Sequence, residues 1–228
     1  MKTFFGAAAL ALAAATLAAG PAAADLPIGF EIKSGVGVGH YSMGELNDNL
    51  ALVRKNFDSN LQELTSGFNF FAEGRVWLFK RVAGLAGFEH YWAEVDLPTT
   101  AGTFKFKSPA DVLYLGGALN VFSFPKFIDI NAGARGTFAK VVYGTNEADK
   151  SFFVEYKAND YGWDVFVETN TNFIRPLQVG FTLGYRSLSI DGFRDKFDRE
   201  PVFGELDAPV TIDYSGVFFY FTAGIALW

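Results

Sequence analysis

The sequence has 228 residues, a formal charge of −6, no cysteine, and 17 % aromatic residues, among them 26 phenylalanines. An acidic chain of this kind is a poor partner for nucleic acid and lacks the polybasic pattern of a peripheral membrane-surface protein. The missing cysteines exclude a small disulfide-stapled scaffold.

The chain begins "MKTFFGAAALALAAATLAAGPAAAD". A basic start at Lys2, an alanine-leucine core, a helix-breaking Gly20-Pro21 and small residues at Ala22 and Ala24 predict a secretory signal cleaved before Asp25. Residues 1–24 are therefore expected to be removed, leaving 204 of the 228 residues, 25–228, as one domain; losing Lys2 brings its charge near −7. Beyond this leader, no uncharged apolar run reaches the roughly 18 residues of a spanning helix. The large apolar side chains must then fill a soluble β core or coat a protein that spans a membrane without helices.

Apolar and polar residues alternate with period two through eight successive runs, the pattern of half-buried strands. In "FEIKSGVGVGHY", Phe30, Ile32, Val36 and Val38 oppose Glu31, Lys33 and three glycines. "SGFNFFAEGRVWLF" sets Phe68, Phe70, Ala72, Val76 and Leu78 against Asn69, Glu73 and Arg75, and "VAGLAGFEHYWAEV" sets Phe88 and Trp92 against Glu89. "ADVLYLGGALNVF" opposes Leu113, Leu115, Leu119 and Val121 to Tyr114, Gly116, Ala118 and Asn120. The next three runs carry Asp129, Asn131, Arg135 and Thr137, then Asp164, Glu168, Asn170 and Asn172, then Gln178, Thr182 and Arg186 on their polar sides. The eighth, "TIDYSGVFFYFTAGIALW", is apolar on both parities around Phe218 to Phe221, which predicts a bulge at Gly216 that switches face.

The connectors alternate in length. "KR", "SFPK" and "IRPL" are short turns, whereas residues 42–64, 97–109, 144–160 and 191–211 are longer and rich in charge. Short and long connectors then sit at opposite ends of an up-and-down sheet. The polar parity is thin in charge and heavy in Gly, Ala, Ser, Thr and Asn; the other parity is almost wholly Phe, Leu, Ile and Val, with Trp and Tyr near the ends. Large apolar side chains outside and small polar ones inside match a closed barrel in lipid, where closure satisfies every backbone amide. The expected fold is all-β, an eight-stranded antiparallel up-and-down transmembrane β-barrel.

These features together resemble the small OmpA/OmpX/OmpW-type outer-membrane β-barrel family across residues 25–228. The resemblance implies the bacterial outer membrane, short periplasmic turns, long outer loops, a monomer, and contact with the lipid bilayer and lipopolysaccharide. It also implies recognition of the last strand by the barrel-assembly machinery, with Phe221, Ala226 and Trp228 as the assembly signal. Ala226 departs from the larger apolar residue usual two places before the terminal aromatic.

An eight-stranded barrel is only wide enough for side chains to fill. The polar parity gathers Glu31, Lys33, Glu73, Arg75, Glu89, Asp129, Arg135, Glu168 and Arg186, five acids and four bases, which are expected to pair and plug the lumen because an unpaired buried charge is very costly. In the first long connector, Leu46, Leu50, Val53, Phe57 and Leu61 recur at helical spacing and predict a short amphipathic helix within 45–63.

"HYSMGE" puts His40 and Ser42 on the lipid-facing parity, similar to the His-x-Ser pattern of the outer-membrane lipid A deacylases, although those enzymes carry it late in the chain. His40 and His90 otherwise read as part of an aromatic girdle, and no residues have metal-ligand spacing. The expectation is a non-enzymatic protein without metal or cofactor, with a structural or surface-interaction role. The alternatives are a narrow conduit for small apolar solutes and a lipid A-modifying hydrolase using His40 and Ser42.

Overall fold

A computed structural model describes residues 28–45, 47–48, 51, 55, 65–99, 102–124, 127–146, 154–174, 176–200 and 211–227. The expected leader, Trp228 and Leu46, Leu50, Val53, Phe57 and Leu61 of the expected 45–63 helix lie outside them. Gly44, Glu45, Asn47, Asp48, Ala51 and Lys55 of that connector are described, and all six are helical.

The strands are β1 (Ile28–Tyr41), β2 (Ser66–Leu78), β3 (Val82–Trp92), β4 (Glu94–Thr99), β5 (Gly102–Lys107), β6 (Ala110–Phe124), β7 (Ile128–Asn146), β8 (Val154–Ile174), β9 (Leu177–Ser187), β10 (Ser189–Ile190), β11 (Ile212–Asp213) and β12 (Gly216–Leu227). Eight close a ring in chain order, β1, β2, β3, β6, β7, β8, β9 and β12, with β12 pairing back onto β1 and every pairing antiparallel. Closure leaves the ring no free edge, which is the condition for crossing hydrocarbon with strands.

Outward side chains include Ile32, 73 % exposed, and Leu115, 65 % exposed, within a continuous coat of aliphatic and aromatic residues. In water so large an apolar surface would drive aggregation; against acyl chains it is the stable arrangement.

Two expected connectors are largely strand. A tilted span needs about 9–11 residues, but β7 has 19 and β8 has 21. Both run past the rest of the ring, so residues 144–146 and 154–160 are paired, where the sequence predicted loop. Strand formers at Val141, Val142, Tyr143 and Tyr156 favour this extension. Residues 97–109 likewise hold parts of the β4–β5 hairpin, and β5 pairs with the end of β7 from Lys105–Asn146 to Lys107–Gly144. The long-connector end therefore carries a four-stranded flange on one side.

The predicted bulge at Gly216 is absent. Gly216 pairs with Tyr41 and Arg186 in ladders that continue without a break to Leu227 and Ile225. Phe218 and Tyr220 point inward and are buried, while Phe219 and Phe221 point outward. Both parities are apolar there because large rings fill the lumen as well as coat the wall. Register shifts occur instead near the short turns, at Asn120/Phe122 and Thr171/Ile174.

Phe71, Trp77, Tyr114, Phe166, Phe218 and Tyr220 occupy the lumen. Their rings explain two of the inward glycines: a Cβ on Gly35 would collide with Phe71, and one on Gly87 with Tyr114. At the long-connector end, a second buried cluster fills the mouth. Met43, Leu188, Ile190, Phe193, Ile212 and Tyr214 pack there among the small wall residues Ala93, Ala110, Val112, Ala139, Val141 and Ala158.

Candidate functional site

Inward parity brings eight of the nine predicted charges into the lumen: Glu31, Lys33, Glu73, Arg75, Glu89, Arg135, Glu168 and Arg186 are all buried. Asp129 is corrected. It lies half-buried beside the β6–β7 turn, where Ser123 Oγ donates to its carboxylate, because parity assigns a face and not a depth. Its place is taken by Asp164, fully buried on β8. Asp164 shares the inward parity of Glu168 four residues later, so the signal was present in the strand pattern.

The nine charges form one alternating chain along the barrel axis. Starting from the short-turn end, Lys33 Nζ stands 3.3 Å from Glu31 and 2.7 Å from Glu168. Arg75 joins Glu168 to Glu73, with its NH2 donating to Glu168 Oε2 at 2.7 Å. Arg135 joins Glu73, at 3.6 Å, to Asp164, at 2.7 Å. Arg186 joins Asp164, at 3.0 Å, to Glu89, at 2.8 Å. Every base bridges two carboxylates, so a chain of four bases requires five acids and ends on an acid at both ends.

Neutral donors complete the two ends. Trp77 Nε1 donates to Glu31 Oε2 at 2.7 Å. At the other end, Tyr220 Oη donates to Glu89, while Asn69 Nδ2 stands within hydrogen-bond reach of the Glu89, Tyr220 and Tyr41 oxygens. Glu168, in mid-chain, also accepts from Asn131 at 2.9 Å and Asn170 at 3.1 Å. The excess negative charge is thus spread over two ends, each met by a hydrogen-bond donor, which lowers the cost of burying carboxylates.

The loosest link is at Arg135. Its Nε and NH2 make no hydrogen bond among the described residues, so the short approach to Asp164 is an ion pair that the N–H groups do not aim at. Its guanidinium lies 4.4 Å from the ring centre of Tyr114, 5.0 Å from Phe166 and 5.5 Å from Phe218. Ring faces stabilise the cation where hydrogen bonds do not. The sequence reading places Tyr114 on the inward parity but misses Phe166 and Phe218, because it assigns large apolar side chains to the outside.

Above Glu89 and Arg186 the filling becomes apolar. Tyr41, Tyr91 and Tyr214 pack on one another with ring centres 5.8 to 5.9 Å apart. Tyr214 Oη donates to the Ser108 carbonyl at 2.7 Å. Burial holds the Tyr214 phenol well above its usual range, so it stays a neutral donor.

The other predicted sites are separate from the chain of charges. His40 and Ser42 both face outward, but Ser42 Oγ donates to Asp213 Oδ2 at 2.8 Å. Among the described residues no hydrogen bond links His40 to Ser42, the contact an activated serine requires. His90 Nδ1 lies 2.7 Å from Asp111 Oδ1, and its ring packs against Trp92. Among the described residues no three His, Cys, Asp or Glu side chains could share a metal ion. Of the predicted assembly signal, Phe221 faces outward and Ala226 inward, so the two are on opposite faces of β12.

No family model matches the chain, and no curated protein matches it in sequence. Solved structures do. Ail, the attachment invasion locus protein of Yersinia pestis, in complex with the heparin analogue sucrose octasulfate, is 7 % identical over 88 % of this chain and 99 % of its own, with a TM-score of 0.50. A major outer membrane protein from Thermus thermophilus is 9 % identical over 88 % of this chain and 99 % of its own, with a TM-score of 0.53. Closed on eight antiparallel strands and coated in exposed apolar side chains, this chain has the fold of the small outer-membrane β-barrels.

Proposed function

We propose that the protein is a non-conducting outer-membrane barrel that serves envelope structure or surface interaction, with its long connectors outside and its lumen closed by the chain of ion pairs. The observation that carries this reading is the unbroken alternation from Glu31 to Glu89, in which each base is held between two carboxylates. Breaking any link would bury an uncompensated charge, so transient opening is costly. The apolar mouth adds a second barrier in series. A conduit for apolar solutes would have to displace both.

Lipopolysaccharide and phospholipid are the partners that an exposed apolar coat requires, and a monomer is the simplest assembly, because the closed ring leaves no edge strand for pairing within the hydrocarbon and β4 is an edge only in the flange beyond it. Insertion by the barrel-assembly machinery belongs to the same reading. A non-catalytic role agrees with the Ser42 hydroxyl being committed to Asp213.

The test is conductance of the purified, folded protein in planar bilayers. The expected result is no steady current above the bare membrane at neutral pH; a steady, sizeable conductance overturns the plug. Exchanging the 191–211 connector for an unrelated loop is expected to abolish surface binding while leaving the barrel folded, and binding that survives such exchanges overturns the surface-interaction part.

A further inference from the structure

The outward face of β7 is uncharged from Ile128 through Ile130, Ala132, Ala134, Gly136 and Phe138, and its first charge is Lys140. Twelve residues at about 3.3 Å each, tilted about 40°, rise about 30 Å. That just exceeds an apolar band of about 25 Å, so Lys140 stands at the outer edge of the hydrocarbon.

Lys140 pairs with Asn159 and Val142 with Lys157, which makes Lys140 and Lys157 diagonal neighbours on one face of the sheet. Both are exposed. Among the described residues of the ring strands, no other lysine or arginine faces outward at this edge; beside Lys140 it carries Asp111 with His90, and farther round His40 and Tyr185.

The pair is poorly compensated. Asp111 stands directly opposite Lys140 across β6–β7 on the same outward face, but its carboxylate turns to His90 Nδ1 at 2.7 Å, and no ion pair to Lys140 forms among the described residues. Lys157 has Glu155 at 3.9 Å with both side chains at least half exposed, a pairing that contributes little. Arg194 lies directly opposite Lys157 across an isolated bridge, adding a like charge; its guanidinium turns aside to Glu200 at 2.7 Å and Asp198 at 3.5 Å. Just below, on the membrane side, Phe138 and Tyr161 pack with ring centres 5.1 Å apart, and Tyr161 is 67 % exposed. Both lysines belong to paired strands, so their backbone positions are fixed before a ligand arrives, and only the side chains have to be ordered.

We infer that Lys140 and Lys157 bind the phosphate-bearing headgroup of an outer-leaflet lipid. The inference rests on the outer-membrane reading above, with the long connectors outside. Two ammonium groups about 7–8 Å apart at the backbone can converge on one phosphate. The Phe138–Tyr161 pair then lies against the upper acyl chain or sugar. The sideways aim of the lysines at the edge of the apolar coat selects a membrane lipid over a soluble anion.

The experiment is native mass spectrometry of the detergent-purified mature chain titrated with a bis-phosphorylated glycolipid of the lipid A type, the same glycolipid after phosphatase treatment, and inorganic phosphate. The expected result is binding of the phosphorylated form tighter than the stripped form by on the order of tenfold. K140Q/K157Q is expected to abolish that preference, and K140R/K157R to keep it. Retained heat-modifiable gel mobility confirms that each variant is folded.

Equal binding of the two glycolipids, or a preference that survives K140Q/K157Q, overturns the inference. Competition by inorganic phosphate at the glycolipid's own concentration identifies a soluble-anion site and overturns the lipid assignment. Protease access to residues 191–200 on intact cells separates the two levels. Access without a lysine effect overturns this inference alone; no access, with the protein in the outer membrane, overturns the orientation on which it rests.

Discussion

The two fillings of the barrel are built differently. The central and short-turn portion is closed by side chains that leave the ring strands at fixed parity, each charge held by a partner on another strand. The mouth is closed by Ile190, Phe193, Ile212 and Tyr214, which arrive on segments between β9 and β12 and pack on small wall residues. In the first region the plug cannot leave without breaking the wall. In the second it is held by apolar packing and a few hydrogen bonds, so opening of the mouth and unfolding of the barrel are separable events.

Removing the hub of the ionic chain tests the first half of this comparison. Glu168→Ala takes one carboxylate from both Lys33 and Arg75 and leaves Asn131 and Asn170 without their acceptor. The expected cost is about 3–5 kcal/mol, the range for breaking a buried pair on one side only. Urea titration of the refolded protein in lipid vesicles, followed by gel mobility, measures it. A loss below about 1 kcal/mol would mean that water enters the lumen and screens the chain.

Cutting the mouth is expected to behave otherwise. Phe193→Ala removes a buried ring from the apolar cluster, with an expected local loss of up to about 3 kcal/mol. Because the segment can detach from the wall, proteolytic nicking within 191–200 should accelerate several-fold while the urea midpoint of the barrel barely moves. Equal shifts in both would show that mouth and barrel unfold as one unit.

The contrast also explains what could be read from the sequence. Strand number, face and eight of the nine lumen charges followed from period-two alternation, because parity in a closed sheet assigns every side chain to lipid or lumen. Asp129 and Asp164 were exchanged because parity is silent on depth. Of the lumen aromatics, Tyr114 was on the inward parity, but Phe166 and Phe218 stayed hidden for a related reason: they lie on that parity too, yet apolar character alone assigns such residues outside. The mouth was not legible at all. Its residues come from connectors whose return into the barrel is set by tertiary packing with no local period, and the same holds for the β4–β5 hairpin that extends the sheet beyond the ring.

The end of the ionic chain offers the smallest and sharpest test. Glu31 touches one base where Glu168 touches two, and its other oxygen accepts from Trp77. Lys33 keeps Glu168 at 2.7 Å when Glu31 is neutralised. Glu31→Gln removes the terminal negative charge but keeps an oxygen that can accept from the Trp77 indole, so the expected cost is about 1 kcal/mol, the scale of one hydrogen bond. A chain that alternates from end to end predicts this asymmetry between terminal and internal acids, whereas nine independent pairs would predict similar costs for both. Measuring Glu31→Gln and Glu168→Gln side by side decides between them: a terminal substitution that costs half as much as the internal one, or more, would mean that the charges act as separate contacts, and the argument for a single cooperative plug would fall.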